Sequence, residues 1–286
     1  MNITIFTPTF NRANKLPVLY ESLCRQTYVD FQWLIVDDGS TDNTEQVVGA
    51  WINESIIKIK YYKQPNGGKM RAHNAGAVLC DTKYFVCVDS DDYLTDDAIE
   101  VMEKAIPEVD SDGTKSGIIL LRKYLSDDDN KLYDCGRKYI TLHDLYASGF
   151  RGETTLLFKT SILRKYPFPV IDGEKFVTEG SAYDLIDQEY KYLFISKPIT
   201  ICEYNPDGYT LNLLKLYRNN PCGYVNYYYQ AWQLFGSQVA KQHAYMYTFF
   251  IKDKKTRKEY RKKDFDFKTK VFGYLRYLKK IYITKR

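Results

Sequence analysis

The sequence predicts an α/β fold, a mostly parallel central sheet flanked by helices, followed by a helical and basic C-terminal extension. Three observations carry this. Short β-rich runs alternate with helical patterns in the N-terminal part, and each run ends in polar or Gly-rich residues. From about Thr210 the pattern changes to helices rich in Tyr and Leu. Residues 252–286 then hold 15 Lys and Arg against 4 Asp and Glu, a net of +11, which leaves 26 against 32, a net of −6, for the rest.

The first run, Ile3-Thr4-Ile5-Phe6, ends in Thr7-Pro8-Thr9-Phe10-Asn11-Arg12. Leu16, Leu19 and Leu23 then repeat at helical spacing up to Gln26. A second run, Phe31 to Val36, ends in Asp37-Asp38-Gly39-Ser40-Thr41-Asp42, and Val47, Val48, Trp51 and Ile52 follow a Thr41/Asp42 start signal. A third, Ile56 to Tyr62, leads through Asn66-Gly67-Gly68-Lys69 into another helical stretch. The fourth, Tyr84 to Val88, delivers Asp89-Ser90-Asp91-Asp92. Gly117 to Leu121 and Leu156 to Phe158 read as further strands, with a solvated acidic turn at Asp127-Asp128-Asp129 between them. In the C-terminal part Pro221-Cys222-Gly223 separates two helices. The division expected is a domain over 1–205 and a helical cap with a basic tail over 206–286.

An apolar fraction of 44% with 27% charged residues fits an ordinary soluble globular protein. Neither a signal peptide nor a membrane span is expected. The six cysteines lack C-x-x-C spacing and read as reduced core thiols, which suggests a cytoplasmic protein. Three histidines without ligand spacing argue against zinc. Basic and aromatic residues interleave in residues 252–286, a pattern that suits an anionic membrane surface. A helix packed on the domain and a nucleic-acid patch are the alternatives. No nucleic-acid-binding motif accompanies the charge, so no nucleic acid is expected as partner.

Three carboxylates within one turn make a hard anionic pocket, and no Lys or Arg lies between Tyr84 and Lys104 to offset them. A divalent cation with oxygen ligands, Mg²⁺ or Mn²⁺, would satisfy them together with substrate phosphates. Ligands of such sheets bind outside the carboxyl ends of the strands. A nucleotide site is expected there.

Pro8-Thr9-Phe10-Asn11-Arg12, Val36-Asp37-Asp38-Gly39-Ser40-Thr41-Asp42-Asn43-Thr44, Asn66-Gly67-Gly68-Lys69 with Arg71 and Asn74-Ala75-Gly76, and Asp89-Ser90-Asp91-Asp92 come in a distinctive order. Together they resemble the family 2 inverting glycosyltransferases, of the bacterial surface-polysaccharide type, over about residues 1–205. The resemblance implies a GT-A nucleotide-sugar-binding fold and a metal-dependent transfer of a sugar from a nucleoside-diphosphate donor, a uridine one by preference. The acceptor would be a hydroxyl of a glycan or lipid-carrier-linked glycan.

By the same resemblance Pro8, Thr9 and Phe10 border the base and ribose, and Asp38 accepts from the base N–H. Asp37 either shares that role or supports the loop. Lys69 lies near the nucleotide with Arg71 beside it, Asp89 contacts the ribose, Asp91 holds Mn²⁺ or Mg²⁺, and Asp92 either ligates the metal too or supports its ligands from behind. The segment from Tyr166 to Glu179 resembles the region of the catalytic base, and Glu179 takes that role, with Asp184, Asp187 and Glu174 in reserve. Relatives carry an acid or Ser after this glutamate, whereas Gly180 follows here. That departure keeps open a non-catalytic, nucleotide-sugar-binding or membrane scaffold subunit. Glu203-Tyr204 and Asp207-Gly208 resemble a loop that closes over the donor. The basic aromatic tail, with the reduced cysteines, leads to an expected location that is cytoplasmic and peripheral at the inner face of the plasma membrane.

Overall fold

The computed structural model describes residues 1–125, 133–202 and 213–283. The acidic turn at Asp127–Asp129 and the loop from Glu203 to Gly208 lie outside the described residues. By contact density the chain forms two units, Met1–Pro167 with Leu185–Asn205, and Phe168–Asp184 with Pro206–Arg286. The segment Phe168–Asp184, assigned to the first domain by sequence, therefore groups with the C-terminal part.

The first unit holds a nine-stranded sheet: β1 (Ile3–Thr9), β2 (Phe31–Asp37), β3 (Lys58–Lys63), β4 (Tyr84–Cys87), β5 (Asp92–Leu94), β6 (Lys115–Tyr124), β7 (Tyr139–Ile140), β8 (Thr154–Lys159) and β9 (Lys191–Cys202). The order is β3-β2-β1-β4-β8-β6-β9-β5, with β7 paired to β9. Strands β1 to β4 are mutually parallel, and β6 and β9 share their direction; β5, β7 and β8 oppose it. Edge strand β3 carries Lys58, Lys60 and Lys63, the last two paired with Asp81 and Glu45.

Helices α1 (Leu16–Cys24), α2 (Thr44–Glu54), α3 (Lys69–Leu79), α4 (Ala98–Asp110), α5 (Leu142–Ala147) and α6 (Thr160–Lys165) intervene, and along α7 (Gly180–Ile186) the chain re-enters this unit. Strand alternation sorts the core. Ile3, Ile5, Trp33, Ile35, Tyr84 and Val86 are buried with Leu16, Leu19 and Leu23 of α1, Val48 and Trp51 of α2, and Ile99, Met102 and Ile106 of α4. Each such side chain contributes roughly 1.5–3 kcal/mol relative to exposure. Phe6 and Phe85 stack on the opposite face, and both meet His73 of α3 edge-on. There Gly76 allows close approach, since a Cβ would stand 2.3 Å from the Phe6 ring.

The ladder between β1 and β4 stops at Phe6 opposite Cys87, while β1 and β2 stay paired as far as Thr9 and Asp37. The two central strands therefore part at their carboxyl ends, at the point where the strand order reverses. Pro8 lies beyond the end of that ladder, where its missing N–H leaves no gap in the β1–β4 pairing.

The described part of the second unit is helical: α8 (Leu213–Asn219), α9 (Pro221–Phe235), α10 (Gln238–Tyr247), α11 (Lys254–Tyr260) and α12 (Phe267–Ile283), with a 3₁₀ turn at Thr248–Phe250. Its core is aromatic, with Tyr224 and Tyr228 stacked on Tyr247 at 4.9 and 5.4 Å. Pro221 opens α9, where a missing N–H costs nothing. Buried Glu174 satisfies the next donors, accepting from Cys222 N at 2.7 Å and Gly223 N at 2.8 Å. The basic tail is two helices and not one, broken between Tyr260 and Phe267. No helix among the described residues is long and apolar enough to cross a membrane.

Two stability predictions follow from this packing. A Cβ on Gly117 of β6 would stand 1.8 Å from the carbonyl oxygen of Leu157 in β8, and backbone cannot yield as a side chain can. Gly117→Ala should cost about 3 kcal/mol or more, read as a lower urea midpoint. Asp187 accepts from His143 N at the start of α5, and burial, opposed by that bond, pushes its carboxyl up to about 6. A raised folded value means that stability is greatest below about 4 and is lost as pH rises through about 6. Asp187→Asn should flatten that part of the stability profile, measured by thermal melts across the pH series.

Candidate active site

The carboxyl ends of β1, β2 and β4 and the start of α3 meet through hydrogen bonds that the loop sequences require. At the end of β2, Asp37 is fully buried, and its carboxylate accepts from Ser40 N at 2.7 Å and from the Tyr61 hydroxyl. It supports the loop. Asp38 N donates to Thr9 O at 2.8 Å, which ties this loop to β1. The Asp38 carboxylate accepts from Gln64 Nε2 at 2.8 Å, Gly67 N at 2.9 Å and Gly68 N at 2.6 Å. Gly68 has φ +95°, a region that favours glycine, and so turns its N–H onto Asp38 before α3 begins. Asp38, expected to read the base, is thus only 4% exposed and holds the Gly67–Gly68 backbone.

The loop after β1 is tied in the same way. Asn11 adopts a left-handed φ of 53°, donates its N–H to Ser40 Oγ at 2.8 Å, and accepts from Thr41 N at 2.8 Å. Phe10 is 46% exposed at its tip, Pro8 is buried, and the Thr9 hydroxyl is buried with no hydrogen-bond partner.

Lys69, the first residue of α3, reaches the end of β4 and pairs with Asp89 at 2.7 Å. Arg122 of β6 arrives from the other side, 3.0 Å from Asp92 and 3.7 Å from Asp89. The acidic turn is therefore flanked by two cations that the local sequence does not show, which corrects the expectation of an unbalanced cluster. Burial works to raise the Asp89 carboxyl, but Lys69 and Arg122 outweigh it and hold it below the usual carboxylate range. Asp92 goes the other way. Burial pushes it up to about 7, against Arg122 and with help from Asp89 and Asp91.

Asp92 was expected to ligate metal. It is instead buried against Arg122, opposite Cys202 in the β5–β9 pairing. Asp91 is partly exposed on the same turn. Among the described residues no group of three or more His, Cys, Asp or Glu is arranged to hold a metal ion. Arg122 was missed in the sequence, although a cation directly after the apolar run Gly117–Leu121 was a readable signal.

Glu179 lies in the second unit, exposed and one residue before α7. Its carbonyl accepts from Ala182 N and Tyr183 N, both at 3.1 Å. Gly180 has a packing cause, because a Cβ there would stand 2.5 Å from the Tyr227 ring. Two reserve acids have structural duties: Glu174 holds the start of α9, and Asp187 the start of α5.

Removing one partner of a buried ion pair leaves the other uncompensated. Arg122→Met should cost roughly 3 kcal/mol. Adding Asp92→Asn should restore much of it, with a coupling of about 1–3 kcal/mol in a double-mutant cycle of urea melts.

Comparison with known proteins gives this arrangement a context. The family model Glycosyl transferase family 2 matches residues 4–166. Glycosyltransferase GlyG of Streptococcus pneumoniae is 30% identical over 110 residues, 38% of this chain and 36% of the relative. The chondroitin synthase of Pasteurella multocida is 36% identical over 102 residues, 36% of this chain and 10% of the relative. The matches thus span about a third or less of those relatives' own length. In structure, Staphylococcus aureus TarS 1-349 in complex with UDP superposes with TM-score 0.60 at 15% identity, over 96% of this chain and 89% of that one. The mannosyltransferase PcManGT of Pyrobaculum calidifontis, in complex with GDP-Man and Mn²⁺, gives 0.57 at 17%, over 94% and 77%. These likenesses agree with the GT-A fold. With more than half of its residues matched by the family model, the chain belongs to glycosyl transferase family 2.

Proposed function

We propose that the chain is a metal-dependent inverting glycosyltransferase. It moves a sugar from a uridine diphosphate donor to a hydroxyl of a glycan or lipid-linked glycan. The observation that carries this is the pairing of Lys69 with Asp89, on the turn that also bears Asp91, where β1 and β4 part, the crevice in which such sheets take nucleotides. Support for the donor comes from structural neighbours in complex with UDP, UDP-GlcNAc and GDP-Man.

In this reading Phe10 and Pro8 border the base, and the orphaned Thr9 hydroxyl takes a donor or acceptor of the nucleoside as its partner. Asp38 fixes the Gly67–Gly68 backbone, which lets the nucleotide approach closely. Asp89 meets the ribose hydroxyls, with its charge kept by Lys69. Lys69 and Arg122 lie close enough to the acidic turn to attract a diphosphate.

The donor chemistry of the turn suits a hard cation, because it supplies carboxylate oxygens and no soft ligand. Asp91 would hold Mn²⁺ or Mg²⁺, which when bound would stabilise charge on the departing diphosphate. Glu179 removes the proton of the acceptor hydroxyl as it attacks the anomeric carbon, so the configuration inverts. Gly180 beside Glu179 packs against the Tyr227 ring, so turnover is what separates this reading from a non-catalytic subunit.

Calorimetry with UDP, GDP and CDP, with Mn²⁺ present and then chelated, tests the reading. UDP should bind best, and its binding should collapse on chelation and in Asp91→Asn. Nucleotide binding indifferent to metal would refute the role of the acidic turn. Glu179→Gln should keep UDP affinity while losing transfer by about 10²–10⁴-fold, and unchanged transfer would place the base elsewhere.

A further inference from the structure

Helix α12 has two faces of different character. Thr269 and Gly273 are buried on one of them. At Gly273 a Cβ would stand 2.8 Å from the carbonyl oxygen of Gln242 in α10. Arg276 donates to the Gln242 side chain at 3.0 Å, and Lys280 reaches the Tyr247 hydroxyl at 3.1 Å. Positions 269, 273, 276 and 280 form one stripe of an α-helix, which is thus the face packed on α10.

Phe267, Val271, Leu275 and Leu278 repeat the same spacing on the other side of the helix. They are 82%, 40%, 52% and 44% exposed. Lys268 and Lys279 border this stripe along one edge and Lys270 along the other, all three exposed. Between Phe267 and Ile283 there are five Lys or Arg and no acid. A continuous apolar stripe in a fully basic frame needs an apolar partner with a negative surface.

We infer that this face of α12 docks the protein on an anionic lipid bilayer, with the apolar stripe below the headgroups and the lysines among them. The charge decides between occupants. A second copy docked by the same stripe would set lysines against lysines, whereas anionic headgroups neutralise them. Nucleic acid would use the lysines but has no place for Phe267, Val271, Leu275 and Leu278. The inference does not rest on the donor reading, because binding to a surface needs no turnover.

The test is flotation of the full chain with vesicles of zwitterionic lipid alone and with added phosphatidylglycerol. Flotation is expected only with the anionic vesicles, and it should weaken as salt rises. Val271→Ser with Leu275→Ser should abolish it, and Lys268→Gln with Lys279→Gln should reduce partitioning on the order of tenfold. These positions are exposed, so unchanged thermal melts should accompany the loss. Three results would overturn the inference: no flotation, equal flotation with both vesicle types, or loss unrelated to the stripe. A dimer in sedimentation equilibrium that dissociates in Val271→Ser with Leu275→Ser would do so too, by making the stripe a self-association seam.

Discussion

The carboxylate of Asp38 is the constraint on which the rest of the site depends. A buried charge must be satisfied, and here three donors do it, two of them consecutive backbone N–H groups. Here the positive φ of Gly68 turns its N–H onto the same carboxylate that takes the Gly67 N–H. The bond therefore sets where α3 starts. Because Lys69 is the first residue of α3, it also sets where the cation meets Asp89. One anion directly after β2 thus aligns the loops of three strands.

The electrostatics of the acidic turn are a matter of pairing across the sheet. Asp89 and Asp92 lie three residues apart and are displaced in opposite directions. Asp89 has two cations near it, and together they outweigh its burial. Asp92 is deeper and closest to a single guanidinium, and burial wins. Two carboxylates of one motif thereby acquire different characters from the strands that surround them, a separation that suits distinct tasks.

What was legible in the sequence was local. Strands β1 to β4 and their turns could be read because hydrophobic period, Gly and Asp act within a few residues of one another. Lys69 and the acidic turn could be named, but not their contact. Arg122 was lost because its partners lie 30 and 33 residues upstream and meet it only through sheet order. Glu174 shows the same limit. It read as an acid in reserve for catalysis, yet it serves as the N-terminal partner of a helix 48 residues further on. The single basic helix expected in residues 252–286 became two, since interleaved lysines and aromatics continue across the break without marking it.

Edge strand β3 gives the sheet a one-sided boundary. An open edge offers unpaired backbone groups to any extended segment, and this one carries Lys58, Lys60 and Lys63, charged side chains that disfavour an added strand. A second chain added there would have to displace the partners of Lys60 and Lys63 and bring its own backbone among three ammonium groups. Growth of the sheet is consequently disfavoured on the side that bears its parallel strands.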